Sequence, residues 1–216
     1  MTNLFKTTVL VLVCSLILAC ESTYYSAMEG VGYHKREIMV DRIEDVADAQ
    51  EDAQEQFKSA LEQFNSVVAY DGGDLEELYD RLNAEYEDSV GAADDIRERI
   101  EAVANVSEAL FDEWEEEISL YSSASLRKSS QSQLNQTRRE YKNLMAAMQR
   151  SEATLKPVLD TFQDQVLYLK HNLNARAIAS LKGELGTIDA EVQKLIKAMD
   201  VSIAEAKQFI TTLQSE

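Results

Sequence analysis

The sequence predicts an all-α fold, an elongated antiparallel four-helix bundle with coiled-coil character. Apolar residues recur at alternating spacings of four and three along four long segments, the 3.5-residue repeat of helices that pack along narrow seams. One proline and seven glycines in 216 residues leave few interruptions. Ala, Glu, Leu, Gln and Lys are abundant, the composition of long helices. Helices of about 36–48 residues at 1.5 Å per residue would reach roughly 55–70 Å.

The first stripe runs Met39, Ile43, Val46, Gln50, Ala53, Phe57, Ala60, Phe64 and Val67, with Gln50 its only polar member. It places a helix over 34–70. The segment "YDGGDL" ends it: Gly72 and Gly73 allow the positive φ of a tight turn, and Asp74 can cap the next helix. Nothing around these glycines would make a phosphate cradle. A second stripe places a helix over 74–122, through Leu75, Tyr79, Leu82, Tyr86, Ser89, Ala93, Ile96, Ile100, Val103, Ser107, Leu110 and Trp114 to Tyr121, with Glu117 as its charged member. Ser89 and Ala93 suit close helix approach, and Trp114 reads as a seam anchor. The serine-rich stretch Ser119 to Ser132 reads as a connector.

A third stripe, Leu134, Thr137, Tyr141, Leu144, Met148, Ser151, Leu155, Val158, Phe162, Val166, Leu169 and Leu173, predicts a helix over 127–173. Pro157 lies inside it and predicts a bend or short break near Ser151 to Pro157, because an interior proline removes a helix hydrogen bond. The asparagines of "HNLNARA" tolerate turn conformations and place the last reversal there. The fourth stripe, Ile178, Leu181, Leu185, Ile188, Val192, Leu195, Met199, Ser202, Ala206, Phe209 and Leu213, predicts a helix over 176–214, with Gly183 and Gly186 weakening its first turns.

Ahead of the bundle, residues 34–216, the chain reads as two functional segments. Residues 1–19 form a secretory signal: Lys6, then an apolar run from Thr8 to Ala19 that is too short to span a bilayer. The run ends in Ile17-Leu18-Ala19-Cys20, which resembles a bacterial lipobox. In that motif the cysteine carries diacylglycerol, the signal is cut before it, and the new amine is usually acylated, often with palmitate. Two or three acyl chains hold a protein stably, whereas one is marginal. Residues 20–33 then become a lipidated tether and membrane attachment runs through Cys20. An uncleaved signal anchor, or an ordinary signal with a chance cysteine, are the alternatives. Glu21 follows the cysteine where proteins retained at the inner membrane often carry Asp, so the expected location is the outer membrane, facing the periplasm, with inner-membrane retention as the alternative. Cys14 would leave with the signal, so no disulfide can form in the mature chain.

The formal net charge of −18 argues against nucleic acid and anionic lipid as partners of the surface as a whole. That charge is unevenly spread. From Glu37 to Tyr121 there are 27 acidic and 5 basic residues, and from Ser125 to Lys182 there are 10 basic and 4 acidic. Pairing between these segments within the bundle is the simpler expectation. The sharper one is that the basic segment meets an anionic component of the envelope.

No constellation of catalytic residues stands out, and neither a metal site nor a cofactor is expected. A carboxylate-bridged di-metal bundle needs Glu-x-x-His motifs. Val31 precedes His34 at that spacing and Tyr168 precedes His171. The acidic runs "DEWEEE" and "DAQEDAQEQ" lack the glycine and ligand spacing of an EF-hand loop and read as solvated helix faces. The stretch "LYLKHNLNARAIASLKGEL" is low in acid, and Lys170, His171, Asn172, Asn174 and Arg176 gather at the predicted reversal. Structurally they would cap helices and offset a helix dipole; functionally they are the candidate contact surface.

The stretches "YYSAMEGVGYHKREIMVDRIEDVADAQEDAQEQFKSALEQF", "YDGGDLEELYDRLN", "ALFDEWEEEI" and "DQVLYLKHNLNARAIASL" together resemble the bacterial proteins grouped as domain of unknown function 2959. The likeness runs from about Tyr24 through nearly all of the remaining chain. It implies a helical envelope lipoprotein and brings no established activity, ligand or catalytic residue. Some members bear names that suggest a DNA-repair ATPase, which the secretion signal and the lack of a nucleotide-binding loop contradict here. Three functions are weighed: a lipid-anchored adaptor that binds an envelope protein, a module that lies against a lipid surface, and an enzyme or metal-binding protein. The first is expected, and a second copy of the chain is also a candidate partner.

Overall fold

The computed structural model describes residues 34–70, 72 and 74–215. The expected signal, the tether, Cys20 and Gly73 lie outside the described residues. Four α-helices make up the fold, with no strand among the described residues: α1 Lys35–Val68, α2 Leu75–Leu120, α3 Ala124–His171 and α4 Ala175–Ser215. At 1.5 Å per residue they are roughly 50–70 Å long. Short links make consecutive helices antiparallel. Each helix packs on its sequence neighbours and α1 packs on α4, which closes a four-membered ring, while helices across the diagonal barely touch.

The stripes form the core. From Met39 to Val67 every stripe position of α1 is fully buried, Gln50 included. Leu82, Ile96, Leu144, Met148, Leu155, Phe162, Leu195 and Met199 meet them as wholly buried side chains. Phe64 and Phe162 pack edge to face at 6.3 Å between ring centres, a geometry that sets the positive ring edge on the negative face. One polar layer crosses the interior. Gln50 Nε2 donates to Ser151 Oγ at 3.3 Å across the diagonal, and Gln50 Oε1 and the buried Ser202 Oγ have no hydrogen-bond partner.

Local chemistry fixes the ends. Glu37 accepts from the His34 backbone N–H at the start of α1, and the Asp74 carboxylate accepts from the N–H groups of Glu76 and Glu77 at the start of α2. Gly72 holds φ +137°, a conformation that side chains with a Cβ rarely adopt, which is why the α1–α2 turn needs it.

Three expectations are corrected. Pro157 does not break α3, which is continuous from Ala124 to His171. Pro157 and Ala153, whose carbonyl loses its donor, both lie on the exposed face, so water can take that carbonyl while Leu155, Val158 and Phe162 stay in the core. The serine-rich connector shrinks to Tyr121–Ser123, because the Ser123 hydroxyl accepts from the Leu126 N–H and starts α3 at once. The far end of the α2 stripe also rotates. Glu117 is exposed, and Phe111 and Ile118 instead form a small cluster with Leu134, flanked by Trp114 and Tyr141. At that level α3 is the main partner left to α2, so the face toward α3 is the one buried.

Candidate functional site

The two ends of the bundle differ, and the candidate surface lies at one of them. The α1–α2 and α3–α4 turns share the distal end. The start of α1, the α2–α3 turn and the end of α4 share the other, where Lys35 pairs with Glu113 at 3.2 Å, Arg36 donates to the Leu213 carbonyl at 3.2 Å, and the Arg36 guanidinium sits 5.6 Å from the Trp114 ring centre. Trp114 is half-buried, and its indole N–H donates to Ser130 Oγ at 2.8 Å, tying α2 to α3.

At the distal end the five predicted contact residues come together in and beside the α3–α4 turn. Both asparagines are used for folding. The Asn174 carboxamide accepts from the N–H groups of Arg176 and Ala177 at 3.0 and 3.2 Å and caps α4, while Asn172 Nδ2 donates to the Tyr168 carbonyl at 2.9 Å and its N–H to Leu169 at 3.0 Å. Lys170 and His171 occupy the last turn of α3, at the negative end of its dipole. Lys170, His171 and Arg176 are exposed, with no carboxylate partner among the described residues. Leu167, Tyr168 and Leu173, exposed by 39–51%, stand beside them; Leu173, expected as the last member of the α3 stripe, lies past the end of the helix at His171 and is exposed instead. All three belong to the quoted stretch, and Leu167 and Tyr168 fall outside the α3 stripe, which is the signal that they face solvent.

Internal charge pairing is sparser than expected. Among the described residues only Arg138, with Glu115, sets an α3 cation against a carboxylate of the two acidic helices. The ring order explains it: α3 lies diagonal to α1 and touches only α2 and α4 closely. Arg127, Lys128, Arg139, Lys142 and Arg150 are therefore exposed, with no acidic neighbour in ion-pair range among the described residues. A shallow groove of about 390 Å³ between α3 and α4 continues the pattern, with Arg150, Lys194 and Lys197 around Ala147, Ala198 and the exposed Val201.

No group of three or more His, Cys, Asp or Glu side chains that could hold a metal occurs among the described residues. His34 begins α1 and His171 ends α3, so the two histidines sit at opposite ends of the bundle. No helix among the described residues is long and apolar enough to cross a membrane. Burial raises the Tyr141 hydroxyl above its ordinary pKa, opposed by its hydrogen bond with Ser107 and reinforced by Glu108; Tyr86 is raised by burial and by the nearby Asp160 and Glu87. These shifts stabilise neutral phenols in the seams.

Among curated proteins, none matches the chain. A family model described as "Protein of unknown function (DUF2959)" matches residues 24–213, almost the whole of the bundle together with the segment before it. A match of that extent, over all four helices, shows that the chain belongs to the DUF2959 family.

Proposed function

We propose that the protein is a non-catalytic, lipid-anchored helical adaptor. Cys20 carries the lipid, the outer membrane holds it, the bundle faces the periplasm, and the distal end binds another envelope protein. The observation that carries this reading is the α3–α4 turn, where Lys170, His171 and Arg176 have no carboxylate partner among the described residues and stand beside the exposed Leu167, Tyr168 and Leu173. Exposed cations next to accessible apolar side chains fit a polar-rimmed protein contact, where charge orients the partner and apolar burial holds it. The lipobox-like Ile17-Leu18-Ala19-Cys20 supports the anchor.

Two experiments test the reading. Cys20→Ala should release the protein from membranes and leave the signal uncleaved or differently cleaved. A variant that still fractionates with the outer membrane, with no mobility shift, removes the lipid anchor from the account. Changing Lys170 and Arg176 together to Gln should leave helicity and melting nearly unchanged, because exposed charges contribute little to folding. The same change should abolish recovery of the crosslinked partner. A large drop in melting temperature with partner recovery intact would reduce the turn to a cap. A second reading, a helical module resting on a lipid surface, draws on the unpaired α3 cations; liposome co-sedimentation of the unlipidated protein separates the two.

A further inference from the structure

We propose that the apex of the α2–α3 hairpin, Leu120 to Lys128, is a second membrane contact that seats the bundle end-on against the bilayer holding its lipid. This rests on the lipid-anchor reading and adds to it a protein surface that touches the lipid.

The geometry starts from the unequal helix lengths. Lys35, the first residue of α1, is level with Glu113 of α2, and Arg36 is level with Leu213 near the end of α4. Beyond that level α2 continues to Leu120 before the chain turns back, which carries the apex about 10 Å past α1. The hairpin therefore projects from the end of the bundle at which the residues before position 34 enter it. The expected tether, residues 20–33, extends at most about 50 Å at 3.3–3.6 Å per residue, so the apex can reach the surface to which the lipid is fixed.

The chemistry of the apex fits lipid. Leu120 is 80% exposed, the highest value among the large exposed apolar residues of the described chain, and Leu126 at 55% and Tyr121 at 39% flank it. An apolar side chain at the foremost point of a helical hairpin has no packing role. In a bilayer it would reach the boundary between headgroups and acyl chains, where a tyrosine ring also sits well. In a chain of net charge −18, no acidic residue occurs between Glu117 and Glu140, and Arg127 and Lys128 follow directly. Both are exposed, neither has a carboxylate partner among the described residues, and Arg127 donates to the Tyr121 carbonyl, which stiffens the turn. Ile118, Ala124, Arg127, Lys128, Gln131, Ser132 and Asn135 line an open groove of about 480 Å³ beside the apex, with two cations and no carboxylate, suited to a lipid phosphate. The acidic run of α2 begins one turn behind it: Glu113 and Glu115 are paired with Lys35 and Arg138, whereas Glu116 and Glu117 are exposed, and Glu117 shares a groove with Tyr121 and Leu126 on the other side of the apex.

The test uses the intact acylated protein reconstituted in vesicles of phosphatidylethanolamine with a fifth of phosphatidylglycerol. Leu120→Cys places a single thiol at the apex for a fluorescent label, with Leu173→Cys at the distal turn as control, and circular dichroism checks that both variants keep their helicity. Brominated lipids should quench the label at 120 at least two-fold more than the label at 173. Lys128→Gln, which leaves the Arg127 bond intact, should lower that quenching, more so with Arg127→Gln added, and only in vesicles that contain phosphatidylglycerol. Flotation reads the anchor separately: protein that fails to float overturns the anchor and this inference together. Protein that floats with position 120 no more quenched than position 173 overturns the inference alone. Equal strong quenching at both positions means a bundle lying flat, and an unquenched label that is shielded from iodide as protein density rises assigns the apex to a second copy. Either result refutes an apex-first lipid contact.

Discussion

Gln50→Leu should make the protein more stable, although it removes a hydrogen bond from the core. Gln50 is fully buried, its Nε2 donates to Ser151 Oγ at a long 3.3 Å, and its Oε1 has no partner. A buried acceptor left unmade costs about 1–3 kcal/mol, whereas a typical hydrogen bond contributes about 0.5–1.5 kcal/mol net. Leucine has nearly the same volume and suits the stripe, so the exchange should gain about 1–2 kcal/mol. Ser151 need not be stranded, since its hydroxyl can turn to its own helix as Ser107 does to Val103 and Ser89 does to Glu85. For a domain of this size the gain corresponds to a rise of about 2–8 °C in Tm, read by circular dichroism melts and urea titration. Gln50→Ala removes the same carbonyl but leaves a void, and should fall below Gln50→Leu by about 2–5 kcal/mol, as Leu-to-Ala exchanges in cores do. A Gln50→Leu protein that melts below the wild type would refute the reasoning. It would mean that the layer of Gln50, Ser151 and Ser202 is satisfied, by a bridging water, and holds the bundle together.

Three further outcomes are expected. Phe57→Ala, at a wholly buried stripe position, should cost about 3–5 kcal/mol in urea unfolding, whereas the exposed Glu55→Gln should cost under about 0.5 kcal/mol; equal midpoints would refute the seam assignment. Pro157→Ala should raise stability by about 1–2 kcal/mol, because restoring the hydrogen bond of an exposed helix interior outweighs the ordering that proline imposes on the unfolded chain; an unchanged or lower Tm would show that the proline is accommodated without cost. Tyr141 is held neutral by burial, so its contribution is fully present below the unfolded tyrosine value near 10 and is lost as pH rises through its raised folded value. Melts between about pH 9 and 11.5 should therefore fall more steeply for the wild type than for Tyr141→Phe, and parallel curves would exclude the effect.

The seams were legible in the sequence because burial in a long bundle repeats with the helix. Met39 to Val67 shows this most clearly, since α1 has neighbours on both sides along its whole length. The pattern failed where neighbours run out: around Glu113 the buried face of α2 turns to Phe111 and Ile118 and leaves Glu117 in solvent, and no period in the sequence announces that α1 has stopped. The short break offered as one outcome at Pro157 is not formed, because its cost depends on which face the proline occupies, and that face is solvent. Asn172 and Asn174 read correctly as turn residues, since their capping bonds are local. The ring order was not legible. Four similar stripes do not say which pairs lie across the diagonal, and without that order the unpaired state of the α3 cations could not be foreseen.

The ring closes through its most distant segments in sequence, and this bears on how the protein folds. Arg36 meets Leu213 across 177 residues, Glu51 meets Lys207 across 156, and Gln54 meets Asp200 across 146. The other three seams join consecutive helices and can form as hairpins while the chain is still emerging. The α1–α4 seam must wait for the last helix, so α1 holds half of its apolar stripe open until the chain is nearly complete. Closing so long a loop adds little entropy beyond that of a shorter one, since the cost grows only logarithmically with length. The delay is set by the arrival of α4 rather than by the search, and a chain that enters its compartment N-terminus first would stay open, and dependent on holding factors, until its final helix is released.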